Sequence, residues 1–177
     1  MKLQKETNNL KGACWGVMWE VNTSKTPRPW RYEPVTNMNR VSRQDKLLFS
    51  TANKVKEVDL DTGVVKELAN ESEIAYSLAY DVKERYVYVP ILNENVIVRF
   101  PYPNDQTIEE NVIFTNSPYY VAFDSGNRHL YWTERASFGK IMRCDSDGSE
   151  ITTIANASMP LAVAVDTSNR FVMLITL

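Results

Sequence analysis

The sequence predicts an all-β chain assembled from a repeated four-stranded unit. Three observations predict it. Leu78-Ala79-Tyr80-Asp81, Val121-Ala122-Phe123-Asp124 and Val163-Ala164-Val165-Asp166 recur 43 and then 42 positions apart. Between recurrences lie further short β-type runs, bounded by turn signals such as Asp61-Thr62-Gly63, Ser125-Gly126-Asn127 and Asp147-Gly148. No amphipathic helix of useful length interrupts residues 46–177. Four strands at this period is the pattern of a β-propeller blade, a four-stranded antiparallel sheet packed beside its neighbours around a channel. A β-sandwich would explain the short strands but not why the same residues return at a fixed interval.

Taken in order, residues 1–12 are polar. Trp15, Val17, Trp19 and Val21 then alternate with Gly16, Met18 and Glu20, a period of two that predicts a strand. Pro27, Pro29 and Pro34 forbid regular structure between Thr23 and Pro34, where each proline removes a donor and fixes φ. Residues 1–45 are thus expected to form a strand plus a Pro-rich segment docked on the propeller, with a Pro-rich recognition peptide as the alternative. The repeats occupy 46–177 as units 47–68, 75–114, 119–154 and 161–177. The first supplies strands two to four of a blade and the last only an opening. Six units would need roughly 260 residues, so an incomplete propeller of three to four blades is expected. Its missing blades would be partners.

Composition narrows the function classes. The 177 residues are 44% hydrophobic and 11% aromatic, which is globular. The 20 basic and 22 acidic residues are well mixed, so no basic stripe suggests nucleic acid. No apolar run is long enough for a membrane helix, and the N-terminus has no apolar signal region. Cys14 and Cys144 form no metal or framework pattern; two separate thiols are expected, with a Cys14–Cys144 bridge left open. Asn22, Asn70 and Asn156 head Asn-x-Ser/Thr sequons and are candidate glycosylation positions, although chance alone would give about two such matches.

The best-patterned stretch, 118–149, contains Pro118, Ala122 and Asp124, then Tyr131, Trp132, Thr133 and Glu134, then Ile141, Asp147 and Gly148. It resembles the YWTD, or LDL-receptor class B, repeat, with Glu134 in place of the usual Asp. The other copies keep less: Tyr88 alone in the second unit, Phe49 and Thr51 in the first. The resemblance implies a six-bladed propeller in the extracellular part of an LDL-receptor-like protein. It also implies protein ligands and a role in endocytosis, signalling or adhesion. Loss of the closing Asp puts the motif's hydrogen bonds in question.

Blade packing explains the motif without chemistry. Tyr131 and Trp132 are adjacent, so they point to opposite faces and meet both neighbours. Asp81, Asp124 and Asp166 each start a turn whose amide groups can donate to a carboxylate. The lone histidine, His129, reads as a turn residue, and no phosphate loop, nucleophile elbow or zinc motif occurs. No cofactor or metal is expected.

A meander places the loops between second and third strands and the links between blades on one face. Asn93, Glu94, Tyr119, Arg135 and Phe138 are the candidate ligand-binding residues there, against the alternative that they are ordinary solvated loop residues. The competing classes are a calcium-dependent lactonase- or esterase-like propeller, which would use inward Glu, Asn and Asp, and a small-molecule carrier.

Overall fold

The computed structural model describes residues 19–20, 45–103, 110–166 and 171–176. The Pro-rich segment, Cys14 and Asn22 lie outside them. The described residues form antiparallel sheets with no helix. The first sheet runs β1 (Trp19–Glu20), β2 (Lys46–Thr51), β3 (Lys54–Asp59), β4 (Val65–Asn70). The second runs β5 (Ala79–Asp81), β6 (Tyr86–Ile91), β7 (Val96–Pro101), β8 (Glu110–Phe114). The third runs β9 (Pro118–Asp124), β10 (His129–Glu134), β11 (Gly139–Asp145), β12 (Thr152–Ala157). A two-stranded sheet comes last, β13 (Pro160–Asp166) with β14 (Phe171–Thr176). In every four-stranded sheet the spatial order equals the chain order, which is the up-and-down blade. The sequence alone assigns strands two to four to the first unit. In the structure Trp19 and Glu20 pair with Leu48 and Leu47, and the N-terminal region completes that sheet.

The core lies between blades, because the middle strands of the second and third blades carry apolar residues on both faces. Leu48, Val55, Val87, Val89 and Phe100 fill the space between the first and second blades. Tyr88, Ile97, Ile113, Leu130, Trp132 and Cys144 fill that between the second and third. Tyr120, Ala122, Tyr131 and Val163 join the third to β13. Tyr131 and Trp132 therefore serve opposite interfaces. Burial of Cys144, helped by Asp145, pushes its thiol up to about 12.

The repeated aspartates act at their turns as their positions demand. Asp124 Oδ1 accepts from the Gly126 and Asn127 amides at 2.9 and 3.1 Å, and Oδ2 accepts from Asn127 Nδ2 at 2.8 Å. Asp81 accepts from the Lys83 amide at 2.9 Å. It also holds Arg128 of the next blade through both oxygens, at 2.7 and 2.6 Å. Asp166 closes β13, and the turn after it lies outside the described residues. Gly148 has φ +88°, and a Cβ there would meet the Val112 carbonyl of the preceding blade at 2.6 Å. Glycine is thus required both for the turn and for the close approach.

Candidate functional site

Alternating strand direction puts two kinds of loop at each end of the blades. At one end lie the connections 92–95 and 135–138 and the interblade links 71–78 and 115–117. At the other lie the turns 82–85, 125–128 and 146–151. All five candidate ligand-binding residues belong to the first end.

Two connections there are tied to the links beside them. The Asn95 side chain accepts from the Ser117 amide at 2.8 Å, and the Ser117 carbonyl accepts from the Arg135 amide at 2.9 Å. Gly139 lets the 135–138 loop lie against the next blade, since a Cβ would sit 2.3 Å from the Glu134 carbonyl and 2.5 Å from Pro160 Cδ. The loop bases are therefore fixed by backbone contacts, which pre-organises whatever the loops display.

The structure divides the candidates into two groups. Tyr119 and Arg135 come together, the guanidinium carbon standing 4.6 Å from the ring centroid, a cation–π arrangement. Tyr119 also meets Tyr120 edge-on at 4.9 Å and Tyr76 at 4.7 Å. Phe138, on the same loop as Arg135, is 96% exposed. Asn93 and Glu94 engage the first link instead. The Asn93 amide donates to Glu73 at 3.3 Å, and the Ser72 hydroxyl donates to Glu94. Among the described residues no carboxylate pairs with the Arg135 guanidinium, whereas Arg99 holds Glu110 at 3.0 Å and Arg128 holds Asp81.

Sequence reading misses Tyr76, Phe114 and Ile74, which share this end of the blades. Phe114 is 75% exposed and Ile74 is also exposed. Tyr76 stands 43 positions before Tyr119, so the repeat itself holds the signal. Exposed apolar residues occur at the opposite end too, Leu60, Val64, Val82 and Ile151, but they are aliphatic and spread over three blades. Aromatic side chains and arginine are the residue types enriched at protein interfaces, because rings combine large contact area with little rotamer entropy.

The motif residues serve packing. Trp132 is fully buried, and its Nε1 donates to the Thr115 hydroxyl at 3.0 Å. That hydroxyl in turn donates to Glu134 at 2.7 Å, and the Asn116 amide donates to Glu134 at 3.3 Å. Glu134 is buried, and its longer side chain makes these bonds in the place where the motif has Asp. His129 begins β10, with Nε2 3.4 Å from Asp145. Asn70 ends β4 and Asn156 lies within β12; both are exposed on outer strands. Among the described residues no three His, Cys, Asp or Glu side chains converge to hold a metal ion. No helix there is long and apolar enough to cross a membrane.

No protein-family model matches the chain, and no curated protein matches it. Solved structures do. A nidogen/laminin complex matches at 15% identity and TM-score 0.68, over 74% of this chain and 52% of that one. The gluconolactonase XC5397 from Xanthomonas campestris matches at 14% identity and TM-score 0.64, over 77% and 52%. An auxiliary nutrient binding protein from Bacteroides thetaiotaomicron matches at 13% identity and TM-score 0.56, over 75% and 43%. The chain spans about half the length of these structures or less. At such identities the likeness establishes a β-propeller fold, in agreement with the up-and-down sheets.

Proposed function

We propose that this chain is a non-enzymatic protein-interaction module of an extracellular YWTD-type propeller, binding protein ligands on the end that carries Tyr76, Tyr119, Arg135 and Phe138. The ring would be completed by further blades. The observation that carries the reading is the tyrosine–arginine group together with an exposed phenylalanine on the same loop as that arginine. Rings that pack on one another, and an arginine held over one of them, have little freedom left to lose on binding, and such residues dominate protein interfaces. The motif around Tyr131-Trp132-Thr133 and the likeness to a structure of a nidogen/laminin complex support an extracellular place and a protein ligand.

The likeness to a gluconolactonase favours a second reading, a lactone-hydrolysing enzyme. One experiment separates the two. The chain is titrated by biolayer interferometry against purified secreted proteins, laminin among them, and assayed separately for glucono-lactone hydrolysis with and without calcium. The expected result is saturable binding to a protein that Arg135→Glu or Phe138→Ala weakens tenfold or more, with no hydrolysis. Binding unchanged in both variants sinks the loop-face reading. Calcium-dependent hydrolysis establishes the enzyme instead.

A further inference from the structure

Among the described residues the outer strand of each blade is an open edge, since the sheet orders end at β4, β8 and β12. Unpaired edges invite strand addition, and proteins guard them with charge. β4 carries Lys66 and Glu67, with Glu67 paired to Lys54 at 2.7 Å. β8 carries Glu110, paired to Arg99 at 3.0 Å. β12 reads Thr-Thr-Ile-Ala-Asn-Ala and carries no charge. It is exposed along most of its length, and Ile154 is 47% exposed. An uncharged, proline-free edge strand lacks the devices that keep a second strand from pairing with it.

A sequon, Asn156-Ala157-Ser158, begins within β12. Asn156 pairs with Lys140 across the ladder, and Asn70 pairs with Lys54 in the corresponding place of the first blade. The second blade has Phe114 opposite Val96 at this position. All three outer residues are exposed, and two of them head sequons. Asn70 and Phe114 stay exposed although another four-stranded blade stands beside each, so the position remains reachable next to a complete blade.

We propose that Asn156 carries an N-linked glycan whose role is to block strand addition at the uncharged β12 edge. The proposal rests on the extracellular reading above. The Asn156 Nδ2 attacks the anomeric carbon of an oligosaccharyl diphosphate lipid. The N–C bond forms and the C–O bond to the diphosphate breaks. The diphosphate lipid leaves with the bonding pair, and a base takes the amide proton. A bulky hydrated group on the strand then hinders a second strand from approaching its free edge. At Asn70 the same modification is less needed, because Lys66 and Glu67 already guard β4.

The test expresses the full chain behind a cleavable leader in a human secretory host. Intact mass is read before and after enzymatic deglycosylation, and light scattering during size exclusion gives the oligomer fraction. Asn156→Gln is expected to remove one glycan mass and at least double the oligomer fraction, while Asn70→Gln leaves that fraction unchanged. Adding Ile154→Lys to Asn156→Gln restores charge to the edge and is expected to return the chain to the wild-type fraction, which misfolding from the first substitution would not allow. An unoccupied Asn156, a variant no more oligomeric than wild type, or a failed rescue by lysine each overturns the proposal. Arg135→Glu and Phe138→Ala leave both readouts unchanged, so failure here is distinct from failure of the ligand-binding reading.

Discussion

The second and third blades have the same strand order and bury both faces of their middle strands, yet they solve their polar problems differently. In the third blade the β9–β10 ladder has a register break between Trp132 and Glu134, at Thr133. The Thr133 hydroxyl accepts from the Tyr120 amide at 3.1 Å and donates to the Leu161 carbonyl of the next sheet at 3.3 Å. In the second blade the corresponding residue is Pro90, which has neither hydroxyl nor N–H. Ser77 on the link before β5 takes over. It donates to the Tyr119 carbonyl at 3.4 Å and accepts from the Val121 amide at 3.0 Å. Tyr119 and Leu161 hold corresponding places 42 positions apart, so each blade reaches the same carbonyl of its successor by a different side chain. The buried Trp132-Thr133-Glu134 becomes Val89-Pro90-Ile91, a run with no side-chain polar atom to satisfy. A blade thus keeps its interblade contacts as geometry, while the residues that make them are exchangeable.

The largest test of this comparison is truncation at corresponding buried positions. Trp132→Ala removes a large side chain and leaves the Thr115 hydroxyl without its indole donor; about 3–5 kcal/mol of stability is expected to be lost. Val89→Ala, at the matching place, removes only two methyl groups and should cost about 2 kcal/mol. Urea unfolding monitored by circular dichroism gives both values. Equal losses would mean that the larger buried surface and indole bond of Trp132 add nothing over Val89 at the same place in the blade.

The next test exchanges the bridges. Thr133→Val leaves the Tyr120 amide and the Leu161 carbonyl without their hydroxyl partner, and Ser77→Ala leaves the Val121 amide without its own. Each is expected to destabilise by about 1–3 kcal/mol, and Thr133→Ser should recover most of the loss. The two hydroxyls meet at one peptide unit, Ser77 on the Tyr119 carbonyl and Thr133 on the Tyr120 amide, so the double variant should depart from the sum of the single losses by about 0.5 kcal/mol or more. Simple additivity in denaturant titrations would show that the shared peptide does not couple the two bridges.

The same comparison explains what can be read from sequence. The period, the strand boundaries near Asp81 and Asp124 and the two-faced burial of Tyr131 and Trp132 follow from local pattern. Turn aspartates and alternating apolar residues declare themselves one at a time. Ser77 gives no such sign, because its role depends on Pro90 thirteen positions later and on backbone groups in another sheet. The pairing of Trp19 with Leu48 is equally hidden, since the strand that completes the first blade stands far from β2 in sequence. At the candidate site the loops are legible from the meander, and Arg135 and Tyr119 stand out singly. Their stacking on each other and on Tyr76 needs the three-dimensional arrangement of two links and a loop.

The smallest expected effect concerns the turn aspartates. Asp81 is clamped by Arg128 of the third blade, whereas Asp124 bonds within its own turn. Burial pushes the Asp124 carboxyl up, but the Asn127 side chain and the Asn127 and Gly126 amides outweigh it, and its pKa lies below the ordinary value of 3.8. A depressed carboxyl favours the folded state at pH values above its unfolded pKa, and that contribution is lost as pH falls through the lower folded value. Asp59 and Asp147 are shifted the same way, Asp59 by the Thr62 amide and hydroxyl and Asp147 by the Ser149 hydroxyl and amide. Asp124→Asn keeps an acceptor but removes the charge. It should cost about 1 kcal/mol at pH 6 and less at pH 2, because the contribution of a depressed carboxyl fades as pH falls past its ordinary value and through the lower folded one. Urea midpoints at the two pH values measure the difference. If the variant's deficit is the same at both, the charge on Asp124 contributes nothing, and its turn is held by shape alone, as an asparagine would hold it.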